Sequence, residues 1–245
     1  MFMRTLKILL YFLILTTFIL LGFLFSQITG KVVYKIEKAN ITRIIDGDTI
    51  ETNIGKVRLL GINTPEKKEK GWEEAKNFLL QFQGKEIELI RTKEDKDKYN
   101  RFLRYVFYSG RMLNEEILAK GLANFYSYNE DEYTKILKKA EEKARKQELE
   151  IWEKSQDVCA SCIILIELNK IDPGEYVLLE NACSFNCNLD AWTIKDDATH
   201  IRKLDFEIPA KENKKIDYEG RVWNDAGDSL YLRDSSGFLV LFYRY

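Results

Sequence analysis

Two short stretches of the chain bring oxygen-bearing and basic side chains close together in sequence. The first is IDGDT at residues 45–49, which carries two aspartates, and the second is VRLLGINTPE at residues 57–66, which carries an arginine, an asparagine and a glutamate. Hard divalent cations bind oxygen ligands, and the N–H fork of an arginine matches the oxygens of a phosphate. The two stretches together therefore predict a cation site beside a phosphate site.

Each of these residues has a plainer interpretation when it is considered alone. The Asp-Gly-Asp sequence at 46–48 is common in turns, where aspartate and glycine are favoured. An arginine such as Arg58 inside an apolar strand is most often on the solvent face. Only the combination of these residues favours chemistry over local structure.

Two turns fix where the remaining candidate residues lie. Pro65 has no N–H and restricts Thr64 to extended conformations, so the loop after the second stretch is stiff. Such a loop can hold a main-chain carbonyl oxygen and the Glu66 carboxylate in fixed positions. Asn100 suits a turn with positive φ, which would place Arg101 at the start of the next strand.

Apolar periodicity predicts the elements that position these residues in the first part of the chain. Strands are predicted at Val32–Tyr34, Ile41–Ile45, Thr49–Thr52, Val57–Ile62, Glu86–Ile90 and Phe102–Tyr108. Helices are predicted over residues 66–82, Met112–Lys120 and Glu130–Trp152.

The chain beyond residue 155 differs from the first part in its predicted secondary structure and in its net charge. Short strands separated by polar turns, with no predicted helix, indicate an all-β sandwich. These strands are Ile163–Leu168, Tyr176–Glu180, Ala191–Lys195, Ser229–Arg233 and Leu239–Tyr243. Residues 31–154 carry a small excess of basic residues and residues 155–245 an excess of acidic ones, which predicts a domain boundary near 155. Neither part is basic enough to predict nucleic-acid binding from charge alone.

Four segments in order resemble the staphylococcal nuclease (thermonuclease) family. They are IIDGDTIE, VRLLGINTPE, DKYNRFLRYVF and MLNEEILAKGLA, followed by the charged helix that ends in Ile151-Trp152. The resemblance covers about residues 40–153 and implies an α+β fold over 31–154, a five-stranded OB-type barrel with three helices. Barrels of this type present a strand face and flanking loops to nucleic acids.

The resemblance also implies a site and a reaction. The implied metal ligands are Asp48, Asn63 and the main-chain carbonyl of Thr64, with Asp46 as an outer carboxylate. The implied catalytic residues are Arg58, Glu66 and Arg101, in which Glu66 activates or orients water and the arginines grip the scissile phosphate. Tyr99 and Lys98 match positions near the substrate. The implied reaction is hydrolysis of DNA or RNA at the P–O5′ bond, which leaves a 3′-phosphate and uses one Ca²⁺ ion.

Asn63 departs from the family pattern, because most members carry a second metal-ligand aspartate there. An amide oxygen still binds Ca²⁺, but the site loses one negative charge, so weaker calcium affinity is expected. The alternative function is a non-catalytic surface protein that binds nucleic acid through a degenerate site, and Asn63 is its sequence support. The single histidine, His200, nearly excludes histidine-based metal sites and Ser-His catalysis.

The second part of the chain resembles the lamin-tail domain family. The resemblance rests on Glu175–Asn181, Asn188–Asp196 and Val222–Asp234. It implies an immunoglobulin-like β-sandwich over 162–245 that serves in binding or attachment, with an unknown ligand and no catalytic residues.

Four cysteines, Cys159, Cys162, Cys183 and Cys187, form two closely spaced pairs. Their spacing is acceptable for a four-thiolate zinc site. Outside the cytoplasm disulfides are the commoner outcome, so we favour two disulfides over zinc or free thiols. Bridges between the two pairs would attach the linker at 155–161 to the sandwich.

The first 30 residues have the composition of a membrane-targeting segment. Arg4 and Lys7 precede the uncharged run Ile8–Phe25. As a helix this run would be roughly 27 Å long, close to the ~30 Å hydrocarbon core of a bilayer. The basic residues before it predict a cytoplasmic N-terminus, so a transmembrane signal anchor would place the rest of the chain outside the membrane. A cleaved signal peptide, which would give a secreted protein, is the alternative.

Overall fold

The computed structural model describes residues 14–18, 36–127, 130–171, 173–225 and 227–245. Residues Ile36–Tyr245 form one compact unit. Residues 14–18 are helical, and within the described ranges no helix is long and apolar enough to cross a membrane. Most of the predicted anchor Ile8–Phe25, and the predicted strand Val32–Tyr34, lie outside the described residues.

The first part of the compact unit is a closed barrel with helices. Its strands are β1 (Ile36–Ile44), β2 (Thr49–Thr52), β3 (Gly55–Leu59), β4 (Ile62–Asn63), β5 (Glu86–Lys96), β6 (Phe102–Tyr108), β7 (Arg111–Met112) and β8 (Asn124–Phe125). Its helices are α1 (Trp72–Leu80), α2 (Leu113–Ala119) and α3 (Thr134–Lys146). Antiparallel pairing runs in the order β3-β2-β1-β5-β6, and a parallel β3–β6 pairing closes the barrel. The predicted five-stranded barrel is confirmed.

The barrel closes because its strands alternate between the interior and the surface. Ile50, Val57, Leu59, Leu89 and Val106 are almost fully buried and belong to one core cluster. In an antiparallel sheet with one solvated face, alternating apolar residues point to the core. The residues between them point away from the barrel interior, and Arg58, which is partly buried by the neighbouring loop, is one of these.

The predicted helix Glu130–Trp152 is wrong at both ends, since the helix spans Thr134–Lys146. Glu148 and Glu150 adopt positive φ angles of 53° and 49°, which reverses the chain after the helix. Ile151 then donates its N–H to the carbonyl of Gly121 at 3.1 Å and lies in a short 3₁₀ turn, Glu150–Trp152. Ile151 and Trp152 are buried. They lie in this turn, and not on the apolar side of the helix as predicted.

The second part is all-β, as predicted. Its strands are β9 (Ile163–Asn169), β10 (Tyr176–Asn181), β11 (Cys187–Asn188), β12 (Thr193–Lys195), β13 (Ile201–Lys203), β14 (Glu207–Ile208), β15 (Asn213–Asp217), β16 (Ser229–Arg233) and β17 (Leu239–Arg244). Two larger sheets, β15-β10-β9 and β13-β12-β16-β17, share one core around Trp192 and Trp223. Strands β11, β13, β14 and β15 were not predicted, because they are two to five residues long and mostly polar or exposed.

Two disulfides join the cysteine pairs crosswise. Cys159 bonds Cys187, and Cys162 bonds Cys183. The linker at 155–161, which contains Cys159, is thereby attached to the sandwich. All four sulfurs are used in these bonds, so they offer no thiolate to zinc.

A buried junction connects barrel and sandwich. Trp152 is fully buried, and its ring centroid lies 5.2 Å from that of Phe242 and 5.9 Å from that of Tyr231. Beside it, Arg244 of β17 forms an ion pair with Glu141 of α3. The sandwich is therefore packed directly against the barrel, and its β12 end lies next to the candidate site.

Candidate functional site

A tight turn between β1 and β2 presents the two aspartates. The N–H groups of Ile45 and Asp46 donate to the Thr49 carbonyl at 3.1 and 3.0 Å, and the Asp46 carboxylate accepts the N–H of Gly47 at 2.9 Å. A Cβ atom on Gly47 would lie 2.6 Å from the Cβ of Ala75. Only glycine therefore lets the turn pack against α1, and the Asp46 carboxylate is used to hold the turn.

Asp48 lies at the centre of the site and is 8% exposed. Its Oδ1 accepts a hydrogen bond from the hydroxyl of Thr49 at 2.8 Å. Its Oδ2 lies 3.0 Å from Nη2 of Arg58 and 3.3 Å from the main-chain nitrogen of Thr64. The carboxylate therefore joins the turn, strand β3 and the loop that follows β4.

Arg58 is turned into the site and not toward bulk solvent. Its Nη1 donates to the carbonyl oxygens of Leu59 and Ile62, both at 2.8 Å. Its Nη2 donates to Oδ1 of Asn63 at 3.1 Å and faces Asp48. The guanidinium is thus held by backbone carbonyls on one side and by both predicted side-chain metal ligands on the other.

The oxygen donors of this cluster fit a hard cation. Oδ2 of Asp48 and Oδ1 of Asn63 contact the same guanidinium nitrogen, so the two oxygens lie close together. The hydrogen bond from Thr64 places its main chain beside Asp48. Carboxylate, amide and carbonyl oxygens are ligands that Ca²⁺ accepts. Asp48 is the one charged member, and no group of three or more His, Cys, Asp or Glu side chains among the described residues is placed to hold a metal.

Arg101 reaches the same cluster from the neighbouring strand. The parallel pairing that closes the barrel sets Val57 opposite Phe102, so Arg101, directly before β6, lies near Arg58 of β3. Asn100 has the predicted positive φ, 63°. The Arg101 side chain donates to Asp97 at 2.7 Å and to the hydroxyl of Thr49 at 3.3 Å.

Thr49 links Arg101 to Asp48, because its hydroxyl accepts from the arginine and donates to the carboxylate. Tyr99, in the same loop as Arg101, is 68% exposed. Its ring centroid lies 5.3 Å from the guanidinium carbon of Arg101 and 5.2 Å from Nζ of Lys98. The loop therefore offers an exposed aromatic face and two cations at the edge of the site.

Glu66 lies at the exposed rim of the site. Its N–H donates to the carboxylate of Glu69 at 2.7 Å. Partial burial raises the pKa of the Glu66 carboxyl, Lys195 opposes this shift, and the charges of Asp48 and Asp46 add to it. Glu66 is therefore coupled electrostatically to the aspartates of the site.

Three contacts to the C-terminal domain were not predicted. Lys195 at the end of β12 binds Glu69 at 2.7 and 2.8 Å. The Nδ2 group of Asn63 donates to the main-chain carbonyls of Asp197 at 3.1 Å and Ala198 at 3.4 Å. The Nδ2 group of Asn124 donates to the Asp197 carboxylate at 3.2 Å.

Comparison with known proteins places the barrel in a family. The family described as staphylococcal nuclease homologue matches residues 56–154, which begins after the turn that carries Asp46 and Asp48. Thermonuclease of Staphylococcus intermedius is 35% identical over 127 residues, 46% of this chain and 75% of that protein. Thermonuclease of Staphylococcus hyicus is 32% identical over 124 residues, 46% of this chain and 73% of that protein.

A third relative is matched over a smaller share of its own length. The SPbeta prophage-derived endonuclease YokF of Bacillus subtilis (strain 168) is 37% identical over 130 residues, 47% of this chain and 44% of that protein. The two thermonucleases, by contrast, are matched over about three quarters of their length. The chain therefore belongs to the staphylococcal nuclease family.

Proposed function

We propose that the chain is a calcium-dependent endonuclease that hydrolyses phosphodiester bonds of DNA or RNA and leaves 3′-phosphates. Family membership and the names of the relatives confirm the coarser prediction, a hydrolase of the nuclease type. The observation that supports the finer proposal is the Arg58 guanidinium, which contacts Asp48 and Asn63 together. Cation ligands and a phosphate-binding group thus belong to one cluster.

The arginines supply charge stabilisation at the phosphorus. In-line attack by water builds negative charge on the phosphoryl oxygens, and fixed guanidinium groups stabilise that charge where it develops. Arg58 is fixed by the carbonyls of Leu59 and Ile62, and Arg101 by the Asp97 carboxylate. Fixed donors of this kind cost little reorganisation during the reaction.

Glu66 handles the proton of the attacking water. Its carboxylate accepts this proton as the water oxygen bonds to phosphorus, and the P–O5′ bond breaks. The products are a 3′-phosphate and a 5′-hydroxyl, the latter taking its proton from solvent. A raised pKa makes Glu66 a stronger base than an ordinary glutamate, which suits this role.

Asp48, Asn63 and the Thr64 carbonyl would hold the calcium ion. A bound Ca²⁺ would supply positive charge beside the scissile phosphate. The donor set has a single side-chain carboxylate, and that carboxylate is already paired with Arg58. We therefore expect weaker calcium binding than at a site with two carboxylates.

Cleavage of supercoiled plasmid and of single-stranded RNA by the full chain, titrated with Ca²⁺, tests this function. We expect cleavage that rises with millimolar calcium and stops on addition of EGTA. A polymerase should extend the new 3′ ends only after phosphatase treatment. Absence of cleavage at every calcium concentration would overturn the proposal.

We propose that the C-terminal domain is a lamin-tail-type module for binding or attachment. Its two packed sheets with buried Trp192 and Trp223 are consistent with an immunoglobulin-like sandwich.

We also propose that the protein works outside the cytoplasm, tethered by its N-terminal segment. The two disulfides support this placement, because such bonds persist in oxidising compartments. Protease accessibility of the C-terminal domain on intact cells tests it.

A further inference from the structure

The side-chain amide of Asn63 lies between two sets of groups. One set can bind only the amide oxygen, and the other can bind only the amide nitrogen. On one side Arg58 is a pure donor, so it can bind only the amide oxygen. On the other side the carbonyls of Asp197 and Ala198 are pure acceptors, so they can bind only the amide nitrogen. The two sides together fix which way the amide faces.

We infer that the turn at residues 196–198 of the C-terminal domain positions Asn63 as a calcium ligand of the nuclease site. This inference rests on the proposed function. The two carbonyls bind Nδ2, so Oδ1 faces Nη2 of Arg58, the atom that also contacts Asp48, and this is where the proposed metal would bind. An aspartate at position 63 would have no N–H to donate to these carbonyls. An asparagine at this position is therefore what the contact with the C-terminal domain requires.

The turn is rigid enough for this role. Asp196 is buried, and its Oδ1 accepts the N–H groups of Ala198 at 3.0 Å and His200 at 2.9 Å. Next to it, the Asp197 carboxylate accepts the hydroxyls of Tyr231 at 2.7 Å and Ser229 at 2.9 Å. The carbonyls that face Asn63 are therefore fixed by the sandwich and not by the nuclease domain alone.

A second contact from the same strand end supports the loop that carries Glu66. Lys195 binds both oxygens of the Glu69 carboxylate, and Glu69 accepts the main-chain N–H of Glu66. Three residues of the C-terminal domain, Lys195, Asp197 and Ala198, thus contact the two ends of the loop 63–69. The domain acts through the geometry of this loop and touches no reacting atom.

The test compares two aspartates that cap turns, Asp196 in the C-terminal domain and Asp157 in the linker before it. Asp196→Ala removes the carboxylate that caps the turn 196–198, the turn that contacts Asn63. Asp157→Ala removes a comparable cap, the carboxylate that accepts the N–H of Cys159 at 2.8 Å, near the disulfides and away from the site. Both are made in the full chain and measured by NMR without metal and by calorimetric titration with CaCl₂.

We expect native protein to show NOEs from the Asn63 side-chain amide to the protons of residues 197 and 198. Asp196→Ala should lose these NOEs and bind calcium roughly 10-fold more weakly, since partners that orient a metal ligand typically contribute 10- to 100-fold in affinity. Asp157→Ala should keep the NOEs and bind calcium within about two-fold of native. If Asp196→Ala does not fold, Asn124→Ala, which releases the turn from the nuclease side, replaces it with the same expectations in direction.

The outcomes separate the inference from the function on which it rests. Native protein without the NOEs, or loss of the NOEs with unchanged calcium affinity, would overturn the inference while leaving the nuclease intact. Native protein that shows the NOEs but binds no calcium would overturn the calcium-dependent function, and the positioning role with it. Loss of NOEs together with weaker calcium binding in the variant alone supports the inference.

Discussion

The Nη2 atom of Arg58 lies 3.0 Å from Oδ2 of Asp48, and both side chains are largely buried. The same nitrogen donates to Asn63 at 3.1 Å. Arg58 therefore occupies the two side-chain oxygens that the proposed calcium ion requires. Since Asn63 brings no charge, Arg58 and a cation compete for the single carboxylate of the cluster.

Arg58→Gln is expected to change calcium affinity and cleavage in opposite directions. Loss of the guanidinium frees the Asp48 carboxylate, so calcium should bind about 10-fold more tightly, an estimate for removing one close like charge. Cleavage should fall by roughly 10²- to 10³-fold, because a fixed donor to the developing charge is lost. Calorimetry and plasmid cleavage measure the two effects. Arg43→Gln, at an exposed pair with Glu51, is the control and should change neither. A variant that loses both calcium binding and cleavage would contradict this view of Arg58.

Glu66→Gln is expected to lower the cleavage rate without changing calcium affinity. Glutamine keeps the size of the side chain but cannot accept a proton, so the rate should fall by roughly 10²- to 10⁴-fold. The Glu66 N–H still donates to Glu69, so the loop geometry is retained. Single-turnover cleavage at saturating calcium is the measurement. Glu73→Gln, at an exposed position of α1, is the matched control. Equal rates for the two variants would show that Glu66 takes no part in the reaction.

Asn63→Asp is expected to destabilise the metal-free protein. The substitution replaces the Nδ2 donor by an oxygen that faces the carbonyls of Asp197 and Ala198. These contacts are partly buried, and unsatisfied buried acceptors cost about 1–3 kcal/mol, so the free energy of unfolding should fall by about 1 kcal/mol, the lower end of that range. Saturating calcium should stabilise the variant more than the native chain, because the added carboxylate binds the ion more strongly.

Urea unfolding with and without calcium checks this expectation. The control is Asn53→Asp, where the asparagine uses its Oδ1 to accept the N–H of Asn40 at 2.8 Å and an aspartate can do the same. The control should stay within about 0.5 kcal/mol of native, as surface changes usually do. A metal-free Asn63→Asp variant as stable as the control would show that the C-terminal carbonyls do not select the amide.

Much of the barrel could be predicted because its signals are local. Alternating apolar residues gave the strands, and the tolerance of asparagine for positive φ gave the turn before Arg101, which has φ of 63° at Asn100. The end of the last helix could not be predicted, because Glu148 and Glu150 adopt positive φ angles and glutamate does not favour them. The reversal is set by packing of Ile151 and Trp152 in the tertiary structure.

The candidate site was predictable only on its nuclease side. Asp48, Arg58 and Asn63 are brought together by adjacent strands, and the sequence order of these strands is enough to expect it. The carbonyls of Asp197 and Ala198 have no side-chain signature and lie more than 130 residues from Asn63. The asparagine in place of an aspartate was the one sequence sign of this contact, and by itself it pointed to weaker calcium binding.

Arg244→Met is expected to destabilise the junction between barrel and sandwich strongly. Glu141 is 2% exposed, and its carboxylate accepts the N–H of Phe125 at 2.7 Å and Nη2 of Arg244 at 3.0 Å. Removing the arginine leaves a buried carboxylate without its counter-charge, which costs about 3–5 kcal/mol. Combining Arg244→Met with Glu141→Gln should recover part of this loss, because the unpaired charge is then gone.

Urea unfolding, monitored by tryptophan fluorescence, measures the effect, since Trp152 packs against Phe242 and the Arg244 guanidinium lies over the same ring. Lys138→Met at the exposed pair with Glu130 is the control, and it should cost no more than about 1 kcal/mol. Because the same β17 region contacts Trp152 through Phe242, loss of the ion pair should also loosen the sandwich at the nuclease site. A double variant no more stable than Arg244→Met would show that the cost comes from lost packing of the arginine or from its pairing with Asp197 at 3.7 Å, and not from the buried charge of Glu141.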